Sequence, residues 1–335
     1  MASNRQVKLA ARPFGLPQHS DWEISETSIP SPADGEVLIQ VLYISIDPAM
    51  RGWMNDRKSY LPPVAIGEVM RAGTVGKVLT SRNPKFRAGD YVAGSQGVQK
   101  YALSDGRGLH KVDAKLVPLT TYLGALGIAG FTAYFGLLDI CNPRENETLV
   151  VSGAAGSVGA IAGQIGKLKG CRVVGIAGGP EKCRYLSEEL GFDETIDYKN
   201  ENVRAGLKRT CPDGVDIFFD NVGGDILNEV LARINFKARI SLCGAISQYN
   251  ATEMPKGPSN YSSLITNRAK MEGFIVFDYA SRYLEAIPHL TGWILQGKIK
   301  TREHIEQGIE NFPEVFLKLF SGENQGKLIL KVGTE

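Results

Sequence analysis

Gly153-Ala154-Ala155-Gly156-Ser157-Val158-Gly159 stands between an apolar run, Thr148 to Ser152, and an amphipathic stretch, Ser157 to Lys169. The run has the length and aliphatic content of a buried strand. In the stretch, Val158, Ile161, Ala162, Ile165 and Leu168 share one helical face, Gly170 stops the helix, and Arg172 to Ala177 reads as the next strand. Thr148 to Ala177 therefore has the size and order of one βαβ unit. Gly156 and Gly159 have the spacing of the last two glycines of a dinucleotide fingerprint, with Ala154 in place of the first. Glycine lets backbone amides approach a pyrophosphate, and the helix N-terminus offers N–H groups and a positive dipole end. Glycine clusters also make plain tight turns; the βαβ setting selects the phosphate reading, with Ala155, Gly156, Ser157, Val158 and Gly159 as candidate contacts.

The pattern extends downstream. Thr195 to Tyr198, Val215 to Asp220, Arg239 to Cys243 and Gly273 to Phe277 are further strand candidates with helices between them. This alternation predicts an α/β domain with a doubly wound parallel sheet. Upstream, the first ~115 residues are rich in Pro, Gly and β-branched positions. Glu36 to Ile46, Val69 to Leu79 (interrupted by Gly73 and Gly76) and Tyr91-Val92-Ala93 read as strands of a small, irregular β-barrel. The tail Lys327 to Val332 reads as a strand returning to that first domain.

At the end of the second strand of the βαβ unit, an NAD site usually carries Asp or Glu for the ribose 2′-hydroxyl. Here the chain has Ala177-Gly178-Gly179-Pro180, with no acid until Glu181. Lys182 and Arg184 follow, and Tyr198 ends the next strand. A missing carboxylate and added cations suit a 2′-phosphate, hence NADP(H). The alternative is that Lys182 is an ordinary solvated lysine of a helix's first turn.

The composition excludes several other classes. The 335 residues are 43% hydrophobic and 22% charged, with 38 Lys+Arg against 36 Asp+Glu, a net +2. No basic stripe argues for nucleic acid or an anionic membrane surface. Met1 to Leu9 lacks the apolar core of a signal peptide. Leu116 to Leu138 carries no charge, but Pro118 and four glycines make it a buried junction segment rather than a membrane span. Five scattered cysteines suggest reduced thiols and a cytoplasmic location. The four histidines and five cysteines show no metal-ligand spacing, so metal-free chemistry is expected.

Five stretches together carry a family resemblance: Ile46-Asp47-Pro48-Ala49-Met50-Arg51-Gly52, Gly130-Phe131-Thr132-Ala133-Tyr134-Phe135-Gly136-Leu137, Lys167-Leu168-Lys169-Gly170-Cys171-Arg172-Val173-Val174-Gly175, Asp220-Asn221-Val222-Gly223-Gly224 and Cys243-Gly244-Ala245-Ile246-Ser247-Gln248-Tyr249-Asn250. Over nearly its whole length the chain resembles the zinc-independent medium-chain dehydrogenase/reductases of the prostaglandin reductase and double-bond reductase branch, especially bacterial NADPH-dependent curcumin reductases. Gly67-Glu68-Val69 stands where zinc alcohol dehydrogenases of similar layout carry Gly-His-Glu.

The resemblance implies a GroES-like substrate and catalytic domain over residues 1–126 and 301–335, and a Rossmann NADP(H)-binding domain over 127–300. It implies that Lys182 and Tyr198 hold the 2′-phosphate. It places Thr132, Gly178, Asn221, Cys243 and the backbone of Phe274, Ile275 and Val276 along the cofactor, with Asn324 near the nicotinamide end. Tyr249 would sit at the nicotinamide ribose and the substrate carbonyl. A homodimer is implied, through edge strands near Phe274 to Asp278. The family commonly has tyrosine where this chain has Ala49, which removes an aromatic wall facing the substrate; Tyr60 is the candidate to replace part of it.

The activity so implied is NADPH-dependent reduction of the C=C bond of α,β-unsaturated ketones or aldehydes. Negative charge then develops on the carbonyl oxygen, and a neutral tyrosine hydroxyl can donate to it without a metal. Tyr249 and Tyr60 are the candidate catalytic residues, although tyrosines often do no more than pack. A quinone reductase of the same fold and a non-catalytic NADPH-binding protein are the competing readings.

Overall fold

A computed structural model describes residues 3–334. They form two compact units: one runs to Leu123 and resumes at Glu303, and the other is Gly124–Arg302.

The second unit is built on six parallel strands: β1 (Thr148–Ser152), β2 (Arg172–Ala177), β3 (Glu194–Asp197), β4 (Val215–Asp220), β5 (Ile234–Leu242) and β6 (Lys270–Gly273). Their order across the sheet is β3-β2-β1-β4-β5-β6, the order of a dinucleotide-binding doubly wound fold. All of β1 is buried, and β2 is buried beyond Arg172. Alternate residues feed two separate cores: Leu149, Val151, Val173, Ile217 and Phe219 on one face, Val150, Val174, Ile176, Phe218 and Ile240 on the other. Covering both faces is what makes these strands continuous apolar runs rather than alternating ones. The helix Ser157–Leu168 follows the glycine turn, and Gly170, at φ +79°, ends its trailing turn.

Thr195 to Tyr198 shifts by one residue, to Glu194–Asp197, and two expected strands differ by more. Gly273 to Phe277 is not a strand: β6 occupies Lys270–Gly273, and the chain then turns, with a short helical segment from Val276 and Asp278 N–H on Ile275 O at 3.0 Å. β6 is an edge strand whose Lys270 and Glu272 hide it from a search for apolar runs. β5 starts earlier than Arg239, at Ile234, and crosses an irregularity opposite β4 where Lys237 takes φ +60°.

In the first unit, Val37–Ser45 is the central strand. It pairs antiparallel with Thr74–Ser81, Tyr101–Ser104 and the tail strand Lys327–Lys331, which Glu303–Gln307 flanks in parallel. Asn4–Leu9 and Trp22–Thr27 form a separate hairpin-like pair. The strand expected over Val69 to Leu79 begins only at Thr74, because the chain before it is paired elsewhere: Val69 bridges Lys8, and Met70 N–H donates to Val7 O at 2.9 Å. The buried Lys327 ammonium donates to Ile46 O at 3.0 Å and Asp47 Oδ1 at 2.7 Å, fixing the start of the Asp47-Pro48 loop.

The uncharged segment Leu116 to Leu138 divides into a short turn of helix, Leu119–Leu123, and the helix Ile128–Phe135. Among the described residues no helix is long and apolar enough to cross a membrane.

Candidate dinucleotide site

Strands β1 and β4 are neighbours whose crossovers leave in opposite directions, so a crevice opens at their C-terminal ends. The turn after β1 enters it. Gly153 has φ +56°, Gly156 caps the helix Ser157–Leu168 without any side-chain hydrogen bond, and the first-turn amides of Ser157, Val158 and Gly159 have no intrahelical acceptor. A Cβ on Gly159 would lie 2.5 Å from Gly153 O and 2.9 Å from Ala154 Cα. The helix start is thus pressed on its own turn with room for a hydrogen only. This uncapped, glycine-paved N-terminus fits a dinucleotide pyrophosphate.

The ends of β2 and β3 form the second part. Tyr198 N–H donates to Ala177 O at 3.1 Å, and the half-exposed Tyr198 ring lies over Gly178, whose Cβ would be 2.9 Å from it. Lys182 is half-buried on the short helix Pro180–Arg184. Burial, and then the nearby Lys199, push its ammonium below the usual lysine range. An arriving phosphate would offset both costs.

An acid is present here after all, supplied by β3. Asp197 Oδ1 accepts Gly179 N–H at 2.7 Å and Lys199 N–H at 3.1 Å, and its Oδ2 accepts Asn200 Nδ2 at 2.7 Å. Partial burial opposes its charge, but these donors outweigh that and hold its carboxyl below the usual range. Only the order of the sheet brings it beside Gly179.

The third part lies where β4, β5 and β6 end. The buried Asp220 carboxylate accepts Ser152 Oγ at 2.6 Å and the N–H groups of Val222 and Gly223 at 3.0 Å each; burial nevertheless raises its carboxyl above the usual range. Asn221 Nδ2 donates to Ser152 O at 2.7 Å, across the crevice. Cys243 N–H donates to Asp220 O at 2.8 Å. Its thiol is pushed up to about 12, by burial and then by Asp220, so it stays protonated near neutral pH. Tyr249 turns its hydroxyl back over Gly244 and accepts Ala245 N–H at 3.1 Å. Cys243, Gly244, Tyr249, Phe274 and Ile275 line a recess of about 640 Å³, while Val276 is buried behind it.

Thr132 also belongs to this unit; its hydroxyl donates to Ile128 O at 2.7 Å within its own helix. Tyr60 and Asn324 belong to the other unit. There Trp53 Nε1 donates to the Tyr60 hydroxyl at 3.1 Å, and Asn324 Nδ2 donates to Gly326 O at 3.0 Å. Asp197 and Asp220, the two carboxylates that organise the turns, were not among the expected site residues. The residues between β4 and its following helix carried the signal for Asp220, since a glycine pair after an acid marks a turn built around it; nothing local marks Asp197. Among the described residues, no group of three or more His, Cys, Asp or Glu could hold a metal ion, and all five cysteines are free.

Comparison with known proteins places these features. Residues 5–112 match the N-terminal domain of oxidoreductase family and residues 157–292 the zinc-binding dehydrogenase family. The chain is 46% identical to the NADPH-dependent curcumin reductase of Escherichia coli, over 98% of this chain and 97% of that protein. It is 42% identical to the NADP(+)-dependent 2-alkenal reductase of Nicotiana tabacum, over 99% and 98%. The crystal structure of CurA from Vibrio vulnificus in complex with NADPH superposes with a TM-score of 0.94 at 48% identity, covering 99% of this chain and 100% of that one. The chain therefore belongs to the medium-chain dehydrogenase/reductase family, in its prostaglandin reductase and double-bond reductase branch, and is an oxidoreductase.

Proposed function

We propose that this protein reduces the C=C bond of α,β-unsaturated ketones and aldehydes with NADPH and leaves the carbonyl intact. The observation that carries the reading is the recess at the end of β4 and β5, where the Ala245 amide anchors the Tyr249 hydroxyl among Cys243, Gly244, Phe274 and Ile275. When bound, NADPH supplies the hydride.

The chain's own residues do the rest. The turn Ala155 to Gly159 holds the pyrophosphate, and Lys182 and Tyr198 hold the 2′-phosphate, with Gly178 as the floor under the Tyr198 ring. Asn221, Cys243, Phe274, Ile275 and Val276 lie along the cofactor, to which Thr132 also contributes. Tyr249 donates to the carbonyl oxygen as enolate charge develops there, or fixes the ribose hydroxyl that donates; such a donor contributes on the order of 3 kcal/mol. Tyr60, whose hydroxyl accepts the Trp53 Nε1–H at 3.1 Å, is the second candidate donor. No metal is required, since a neutral donor suffices for conjugate reduction. The enzyme works in the cytoplasm, as a homodimer.

Deuteride from labelled NADPH is expected at the β-carbon of a saturated ketone product. Label on the carbinol carbon of an allylic alcohol overturns the reading. Tyr249→Phe is expected to lower kcat by ~10²-fold if the hydroxyl donates directly, and by less if it orients the ribose.

A further inference from the structure

Asp197 presents an electrostatic puzzle: a charged carboxylate stands beside the subsite assigned to a phosphate. Its hydrogen bonds resolve it. Gly179 is in the turn between β2 and the helix Pro180–Arg184; Lys199 and Asn200 are in the turn after β3. Oδ1 accepts an N–H from each turn, at 2.7 Å from Gly179 and 3.1 Å from Lys199, whereas Oδ2 accepts the Asn200 side chain, at 2.7 Å, within one turn. Gly179 takes φ +93° and caps the helix that carries Lys182, with Cys183 N–H returning to Gly179 O at 3.2 Å. The position of the Gly179 amide therefore sets where that helix starts and where Lys182 stands. On the other side, the amide of Lys199 fixes the residue next to Tyr198. One oxygen joins the two turns that carry the phosphate-binding side chains.

We propose that Asp197 is a positioning residue for 2′-phosphate discrimination, acting through Oδ1 as the joint between the Gly178–Pro180 and Tyr198–Asn200 turns and not through its charge. The proposal rests on the NADP(H) reading above. It makes an unusual demand: asparagine, which keeps the Oδ1 acceptor and discards the charge, must preserve discrimination. Glutamate, which keeps the charge but moves the oxygens by one methylene, must lose it.

The test is calorimetric titration of the ligand-free enzyme with adenosine 2′,5′-bisphosphate and with 5′-AMP, which lacks only the 2′-phosphate. Wild type is expected to prefer the bisphosphate. Asp197→Ala and Asp197→Glu should each weaken the bisphosphate by about tenfold and leave 5′-AMP within about twofold. Asp197→Asn should keep the bisphosphate within about twofold of wild type, or tighten it, because a charge opposing the phosphate is gone. Equal losses for both ligands, no loss in Asp197→Glu, or an asparagine variant as weak as glutamate each overturn the proposal. If Asp197→Ala does not fold, the Asn and Glu variants decide the matter alone. A wild type without preference for the bisphosphate would sink the cofactor reading itself, before any variant is made.

Discussion

The turns that leave β1 and β2, proposed to hold the pyrophosphate and the 2′-phosphate, are held in different ways. The Gly153–Gly159 turn is closed by steric contact between backbone atoms: Gly159 faces Gly153 O and Ala154 Cα with no space for a methyl group. The Gly178–Pro180 turn is held from outside, by a carboxylate on β3 and by a tyrosine ring resting on Gly178. Backbone walls cannot yield, whereas a ring end and a hydrogen bond can. The first turn is therefore rigid, as suits a part common to all dinucleotides, while the second is adjustable, as suits a preference between them.

Gly159→Ala should show the largest effect. Its methyl group meets only backbone, so the helix Ser157–Leu168 must lift off the turn; overpacking of this kind costs ~1–3 kcal/mol of stability. The N–H groups proposed to face the pyrophosphate move with it. Affinity for NADPH, NADH and 5′-AMP should all fall, by ~10²-fold, a loss of about 2.7 kcal/mol, and Tm should drop. Retention of NADPH binding within threefold would break the comparison, because the turn would then be shown to yield.

Lys182→Ala should act on the second turn alone. The wild-type enzyme is expected to favour NADPH over NADH by at least about tenfold in kcat/KM, equivalent to ~1.4 kcal/mol. Removing Lys182 should raise KM for NADPH by about that factor and leave NADH within twofold. Equal losses with both cofactors would mean that this turn, like the first, serves the common part of the ligand.

The same contrast governs what could be read from the sequence. The boundaries of β1, β2 and β4 coincide with the apolar runs Thr148 to Ser152, Arg172 to Ala177 and Val215 to Asp220, because strands buried on both faces leave no polar alternation to confuse them. The glycine turn was legible for the same local reason. β6 was misplaced because an edge strand with Lys270 and Glu272 carries no such run. Asp197 was illegible as a partner of Gly179: the two are joined by the pairing of β2 with β3, and no local spacing encodes that pairing. Tyr249 came forward through the family resemblance alone, and nothing in the spacing marked the amide of Ala245 at its hydroxyl.

Gly178→Ala sharpens the comparison through a small effect. By distance alone it resembles Gly159→Ala, since the new Cβ would lie 2.9 Å from both Cζ and the hydroxyl oxygen of Tyr198. The neighbour is different in kind. Tyr198 is 44% exposed, and the clash falls on the far end of its ring, which can swing outward by rotation about its side-chain bonds. No backbone has to move, and Gly178 has no left-handed φ that a side chain would strain. The alanine variant should thus keep the Tm of wild type to within about a degree. The displaced hydroxyl can no longer reach a 2′-phosphate as well, while Lys182 still can. KM for NADPH should rise by about threefold, roughly 0.6 kcal/mol, with NADH unchanged. A loss as large as that of Gly159→Ala, or one shared by NADH, would show that the second turn is as rigid as the first and that steric closure, not an adjustable polar joint, shapes both.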